Sequence, residues 1–419
     1  MLIATNLKNT YLLKFREIET VGIILLSSIG LCLSLQELRK RVIKKETTEQ
    51  ILFLLILCIV ILLAVSNEAI FRYKKYSVLN SDVKQYFELS RHLIVGYTEY
   101  EEIFMLASKG LIGGVFITQR NINGKASSEI RAEIGKLQRI RHSQHLPPLV
   151  IAADQEGGIV SRLSPPLTRL PALSSLSGKN PIAEMEKEAF KYGEIHGKEL
   201  SELGVNINFS PIADLRFRQQ SHLMDFHTHI DKRAISDDET VVCGIALAYS
   251  CGLEKYGVFP TVKHFPGMGR VSADTHHFSA KLDTSRKELE TKDWVPFRYV
   301  IEHSDALMML GHIILADIDP ENPASCSYKL IQGIIRQEWK HDGVLVTDDL
   351  TMRAIQSRGI GDMAVRALNA GIDFLLISYD GDKYYDVMYD LIAAYRDKKL
   401  DVPMLEKSNK RLDRLFSRL

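Results

Sequence analysis

"FPTVKHFPG", residues 259–267, decides how the rest of the chain is read. It opens on consecutive apolar residues and closes on a lysine, a histidine and a Pro-Gly turn. A half-exposed strand alternates apolar and polar positions, whereas a continuous apolar run suits a strand buried on both faces. Strands of that kind belong to parallel sheets covered by helices. Seven more runs share the form: "HLIVGY" (92–97), "GGVFITQ" (113–119), "LVIAADQ" (149–155), "VNINFSP" (205–211), "ALMMLGH" (306–312), "GVLVTDD" (343–349) and "DFLLISY" (373–379). Amphipathic stretches lie between them, such as 184–204 and 238–257, and both of these end in glycine, a usual helix stop. Residues 404–419 read as a closing amphipathic helix. Eight alternating units predict an α/β protein, a single (β/α)8 TIM barrel. A doubly wound open sheet is the structural alternative.

Barrel enzymes place their chemistry at the C-terminal ends of the strands. By that rule the site draws on Asp154, Asp214, Lys263, His264, His312, Asp348 and Asp349. A helix N-cap accounts well for Asp349. It accounts poorly for Lys263-His264, because a cation in a barrel mouth is costly without a partner. Just beyond lies "ADTHH" (273–277), where Asp274 stands two residues before His276. A carboxylate beside an imidazole orients it and raises its basicity. One acid at the end of the seventh strand and one acid–base device elsewhere are the two roles that glycoside hydrolysis needs. Alternation along "GVLVTDD" does not choose between Asp348 and Asp349. A proton-abstracting lyase and an aldolase using Lys263 are rivals, since barrels host many reactions.

Composition narrows the field. The chain has 419 residues, a net charge of +1 and 25% charged residues of both signs, which points away from nucleic acid. Five scattered cysteines show no metal-like spacing, and His227-x-His229 alone is a weak metal signal, so no metal is expected. No phosphate-binding loop or dinucleotide fingerprint is present, and no organic cofactor is expected. The glycines at 267 and 269 suit a loop that folds tightly or moves.

Residues 1–75 differ from the body, 76–419. "VGIILLSSIGLCLSL" (21–35) and "ILFLLILCIVILLAV" (51–65) carry no charge and flank "ELRKRVIKK" (37–45) with its five positive charges. Two membrane helices, one helix, or a signal peptide cut after 64–66 each fit, and all three export the body. A pair of buried core helices is the alternative. Residues 67–90 read as a short charged connection to the barrel.

Several motifs together resemble the glycoside hydrolase family 3 β-N-acetylglucosaminidases of peptidoglycan recycling. They are "DQEGGIVSRL" (154–163), "NFSPIADL" (208–215), "KHFPGMGRVSADTHH" (263–277), "DPENPASCS" (319–327) and "VTDDLTM" (346–352), in the family's order. The resemblance covers roughly residues 90 to 400. It implies a retaining mechanism with Asp348 as nucleophile, His276 as general acid/base on a flexible loop, and Asp274 polarising it. It implies that Asp154, Arg162, Arg233, Lys263 and His264 bind the sugar. Three positions depart from the pattern: Met268 stands where the family usually has His, Ile159 replaces a common arginine and Gly311 a common alanine.

The expected activity is a retaining exo-β-N-acetylglucosaminidase acting on terminal N-acetylglucosamine of peptidoglycan-derived or related glycans, without cofactor. It is expected as a monomer anchored in the inner or cytoplasmic membrane, with the barrel facing the periplasm or cell exterior. A phosphorylase using the same site and a catalytically dead, membrane-tethered glycan-binding protein are the alternatives.

Overall fold

A computed structural model describes residues 16–41, 48–178, 181–217, 229–271, 280–352, 355 and 359–419. The chain divides into two compact units, Met1–Ser81 and Asp82–Leu419.

The larger unit is a closed barrel of eight parallel strands. Along the chain the strands are β1 (Leu93–Gly96), β2 (Gly114–Ile117), β3 (Val150–Ala153), β4 (Gln155–Gly157), β5 (Val160–Ser161), β6 (Ile207–Asn208), β7 (Phe259–Phe265), β8 (Lys281–Leu282), β9 (Leu307–Leu310), β10 (Ile314–Leu315), β11 (Leu345–Asp349) and β12 (Phe374–Ile377). The barrel runs β1-β2-β3-β6-β7-β9-β11-β12 and closes by pairing β12 with β1, Leu93 against Leu375. β4 and β5 form an antiparallel hairpin just beyond β3, and β8 pairs with β10 in a separate two-stranded ribbon. All eight apolar runs of the sequence supply barrel strands, so the TIM barrel stands and the open sheet does not.

The barrel interior is packed solid. Ile94, Phe116, Val150, Ile207, Phe259, Met309, Val346 and Phe374 meet inside it. Burying each such side chain contributes about 1.5–3 kcal/mol. Leu412, Leu415 and Phe416 of the last helix, Val402–Phe416, join the same core. The ring of Phe416 meets Phe374, the first residue of β12, edge-on at 6.2 Å, so this helix closes the barrel at the strands' N-terminal ends. Outside, helix Ile182–Leu203 ends at Gly204 in the left-handed conformation, and helix Glu239–Glu254 is capped by Asp238, which accepts from the Thr240 N–H at 2.8 Å.

The described residues of the smaller unit hold two helices, Arg16–Arg41 and Thr48–Leu79, packed on each other. By length and composition one helix among the described residues, Ile51–Leu79, is long and apolar enough to cross a membrane; Val21–Gln36 is a shorter apolar helix. Both turn large apolar side chains outward, among them Leu26, Leu33, Leu52 and Leu62. Residues 67–90, expected as a charged connection, are helical up to Leu79 and again over Val83–Ser90. An (i, i+4) pair, Arg72 with Glu68 at 2.7 Å, helps the charged stretch stay helical.

Candidate active site

β7 carries the centre of the site. In a regular strand neighbouring side chains point to opposite faces. Here the pairing of β7 with β9 shifts register between Val262 and Phe265, and both Lys263 and His264 end buried against carboxylates. Lys263 Nζ donates to Asp154 Oδ1 at 2.7 Å, just past the end of β3. It also meets Glu156 Oε1 at 2.6 Å, on β4. Glu156 in turn receives Arg233, from Nε at 3.0 Å and from its terminal nitrogen at 2.7 Å. Asp154, Lys263, Glu156 and Arg233 thus form an unbroken chain of alternating charge.

That chain fixes the charge states. Burial would raise the Glu156 carboxyl, but the Arg233 guanidinium and Lys263 ammonium hold it down at about 2. Burial would lower the Lys263 ammonium, yet Asp154 and Glu156 push it above its ordinary value. Both cations therefore stay charged in the mouth, which answers the desolvation cost raised by the sequence.

His264 belongs to a second cluster. Its ring Nδ1 lies 2.8 Å from Asp214 Oδ2, and its backbone N–H donates to the same oxygen at 3.1 Å. Asp214 Oδ1 accepts the Met268 N–H at 2.7 Å. The Met268 side chain is buried, so the residue that departs from the family pattern contributes a backbone donor and apolar packing here. Gly269 is required for space: a Cβ there would lie 1.8 Å from the Leu215 carbonyl oxygen. Arg270 is held by Asp293 at 2.9 and 3.0 Å and stacks over Phe217 at 4.3 Å. The residues that lead into "ADTHH" are thus tied down. Asp274 and His276, the expected acid–base pair, lie outside the described residues.

β11 delivers the two adjacent acids, and its surroundings tell them apart. Asp349 accepts from Thr351 N at 2.9 Å and Oγ1 at 2.7 Å, from Ser378 N at 3.1 Å and Oγ at 2.6 Å, and from Tyr379 N at 3.0 Å. Five donors from two loops make it a structural clamp between the ends of β11 and β12. Asp348 accepts the Asp349 N–H at 2.8 Å and is half-buried. Behind them stands His312. Burial lowers its basicity, opposed by Asp348 and Asp349, and the net shift is downward. A neutral ring must donate through one nitrogen and accept at the other. Nε2 faces the Asp349 carbonyl at 3.1 Å and so donates; Nδ1, 2.8 Å from Ser325 Oγ, accepts. The loop "DPENPASCS" supplies that serine, braced by Ser327 Oγ donating to Asp319 at 2.7 Å.

The structure brings Asp154, Lys263 and Arg233 into one cluster and sets His264 beside them on β7. Arg162 is joined to Asp154 through its backbone, N–H to carbonyl at 3.0 Å; its side chain is exposed and makes no ion pair among the described residues. Sequence reasoning missed Glu156, and it named Asp214 and His312 without giving them a role. For Glu156 a signal existed: Asp154 and Glu156 are two apart, which puts both on one face of an extended segment. Gly311 leaves room for the alanine usual in the family, since a Cβ there would make ordinary contact with the Phe265 carbonyl at 3.7 Å.

Residues 88–415 match the glycosyl hydrolase family 3 N-terminal domain. The beta-hexosaminidase of Nitrosomonas eutropha is 36% identical over 303 residues, 71% of this chain and 82% of that protein. That of Pseudomonas aeruginosa is 35% identical over 272 residues, covering 64% and 76%. Among solved structures, a glycoside hydrolase family 3 beta-N-acetylglucosaminidase from Paenibacillus sp. superposes with a TM-score of 0.72 at 29% identity, over 79% of this chain and 62% of that one. A family 3 glycosyl hydrolase from Mycobacterium smegmatis gives 0.69 at 27% identity, over 81% and 98%.

Proposed function

The chain belongs to glycosyl hydrolase family 3 and is a glycoside hydrolase, and on that premise we propose that it is a retaining exo-β-N-acetylglucosaminidase. Asp348 attacks the anomeric carbon and forms a glycosyl-enzyme intermediate. His276, polarised by Asp274, protonates the leaving oxygen and then activates water. Asp154, Lys263, His264, Arg233 and Arg162 bind the sugar hydroxyls. The observation that carries this reading is at the end of β11: five donors from two loops hold Asp349 in a structural role, and Asp348, half-buried beside it, is the acid assigned to chemistry. His312 helps hold that turn from below, in its neutral Nε2–H form. The preference for N-acetylglucosamine draws support from the named activities of the relatives. The peptidoglycan-derived substrate follows from the motif resemblance.

We further propose that the N-terminal helices anchor the barrel to the inner or cytoplasmic membrane. Helix Ile51–Leu79 has 29 residues; at about 1.5 Å rise each it exceeds a hydrocarbon layer of roughly 30 Å. Its outward leucines favour lipid over water. The positive run at 37–45 on the cytoplasmic side sends the barrel to the opposite face, toward the periplasm or exterior.

The test is hydrolysis of an aryl N-acetyl-β-glucosaminide by the full chain in detergent, beside His276→Ala. Turnover by the wild type with a large loss in the variant supports both reaction and role. A folded wild type with no turnover removes the proposal.

A further inference from the structure

Glu156 has no part in the reaction as described, yet it is the most heavily committed carboxylate among the cations of the barrel mouth. Oε1 receives Lys263 at 2.6 Å and Arg233 at 2.7 Å, and Oε2 receives Arg233 Nε at 3.0 Å. Its side chain is 7% exposed, against 24% for Asp154 on the other side of Lys263. Both oxygens of Glu156 are already engaged by cations. It acts through Lys263 and Arg233, the two cations proposed to bind the sugar.

The backbone around it is built to keep it there. Gln155, its neighbour, is locked on every polar atom. Its N–H donates to Asn208 Oδ1 at 2.9 Å, its carbonyl accepts from Asn208 Nδ2 at 2.9 Å and Tyr249 Oη at 3.2 Å. Its side-chain amide donates to Ser164 Oγ at 2.7 Å and accepts from the Leu163 N–H at 3.0 Å. On the other side Gly157 sits at φ +96°, where a Cβ would lie 2.0 Å from Tyr192 Oη. A segment so pinned fixes where the Glu156 carboxylate points.

The charges then decide what the site accepts. Asp154 and Glu156 face Lys263 and Arg233, two against two. Lys263 has three N–H groups, of which two are used within the chain of charges, so among the described residues one is left to a ligand hydroxyl. With Glu156 neutral, two cations would face one carboxylate, and an anionic ring would gain what a neutral ring does not.

We propose that Glu156 is a positioning and specificity-determining residue, which orients Lys263 and Arg233 and balances their charge so that the site takes a neutral sugar ring in preference to an anionic one. The inference rests on the sugar-binding role proposed for those two cations.

The test compares the full-length wild type with Glu156→Gln and Glu156→Asp. Substrates are an aryl N-acetyl-β-glucosaminide and its 6-sulfated counterpart, with N-acetylglucosamine and its 6-sulfate as calorimetric ligands. Glu156→Gln should shift the neutral-to-anionic ratio of kcat/KM about tenfold toward the anion, chiefly by lowering KM for the anionic substrate relative to the neutral one. Glu156→Asp should keep the wild-type ratio at reduced rate. Equal losses on both substrates in Glu156→Gln would reduce the residue to a structural role and overturn the proposal. A wild type that turns over neither substrate defeats the proposed activity instead. The calorimetric ratio still judges Glu156 in that event. Should Glu156→Gln not fold, the wild type carries the test: it must bind the neutral sugar at least about tenfold more tightly than the sulfate, and equal binding overturns the proposal.

Discussion

The two ends of the barrel hold the same kind of interaction and use it differently. At the closed end Asp373 is fully buried just ahead of β12. It accepts from Arg411 Nε at 2.8 Å, Ser408 Oγ at 2.5 Å, Arg336 at 3.0 Å and the Leu345 N–H at 2.8 Å. At the open end Asp154 accepts from Lys263 and remains half-exposed, and among the described residues Lys263 retains a donor. A buried ion cluster whose carboxylate is saturated on all sides serves the fold. One with a spare valence at a rim serves a ligand. Asp349 is saturated in the same way inside the mouth itself, by neutral donors, one residue from the acid assigned to chemistry.

That contrast can be broken by substitution. Asp348→Asn should lower kcat/KM by at least about a thousandfold while the thermal unfolding midpoint stays near the wild type. Near-wild-type turnover would refute its role. Asp373→Asn should do the reverse. Breaking a buried pair costs about 3–5 kcal/mol, read by urea unfolding, with kcat/KM per folded molecule unchanged; a catalytic defect there would erase the distinction between the ends. Lys263→Met should fall between them, losing about a hundredfold in kcat/KM on aryl substrates, because it removes a ligand donor and leaves Asp154 and Glu156 short of a cation.

A further effect, on stability alone, is set by pH. Burial lowers His92 to about 4 and His196 to about 3, and at His341, also near 4, burial is reinforced by Arg336. These folded-state values lie below the ordinary 6.5, so the unfolded chain binds more protons in between. Stability is therefore full above about pH 6.5 and falls as pH drops toward 4. Glu156 adds a second loss between 4.5 and about 2, since its folded value is also depressed. A melting temperature that stays level from pH 6.5 to 4 would contradict the neutral buried histidines.

How much of this was legible beforehand follows the same division. The eight apolar runs carried the fold because parallel strands are buried on both faces, and every one became a barrel strand. Lys263 and Asp154 were legible because strand ends face the mouth. Strand alternation left Asp348 and Asp349 undivided and only the motif resemblance named Asp348; the hydrogen bonds that hold Asp349 come from Ser378 and Tyr379, some thirty residues away and at another strand's end. Glu156 was overlooked although it stands two residues from Asp154, since its partners Arg233 and Lys263 come from distant segments. The Asp373 cluster left no trace in any motif, as it joins residues from three separate helices and strands.

The most direct test of the account asks what forms on Asp348. The full chain would be mixed with a fluorinated N-acetylglucosaminyl donor that slows the second step, then quenched, digested and mapped by mass spectrometry, while the first-formed sugar from an ordinary substrate is read by NMR. A retaining enzyme with Asp348 as nucleophile gives one glycosyl adduct on the peptide containing Asp348 and releases the β-anomer first. An unmodified Asp348 with the α-anomer released first would mean direct attack by water, and the retaining mechanism would fall.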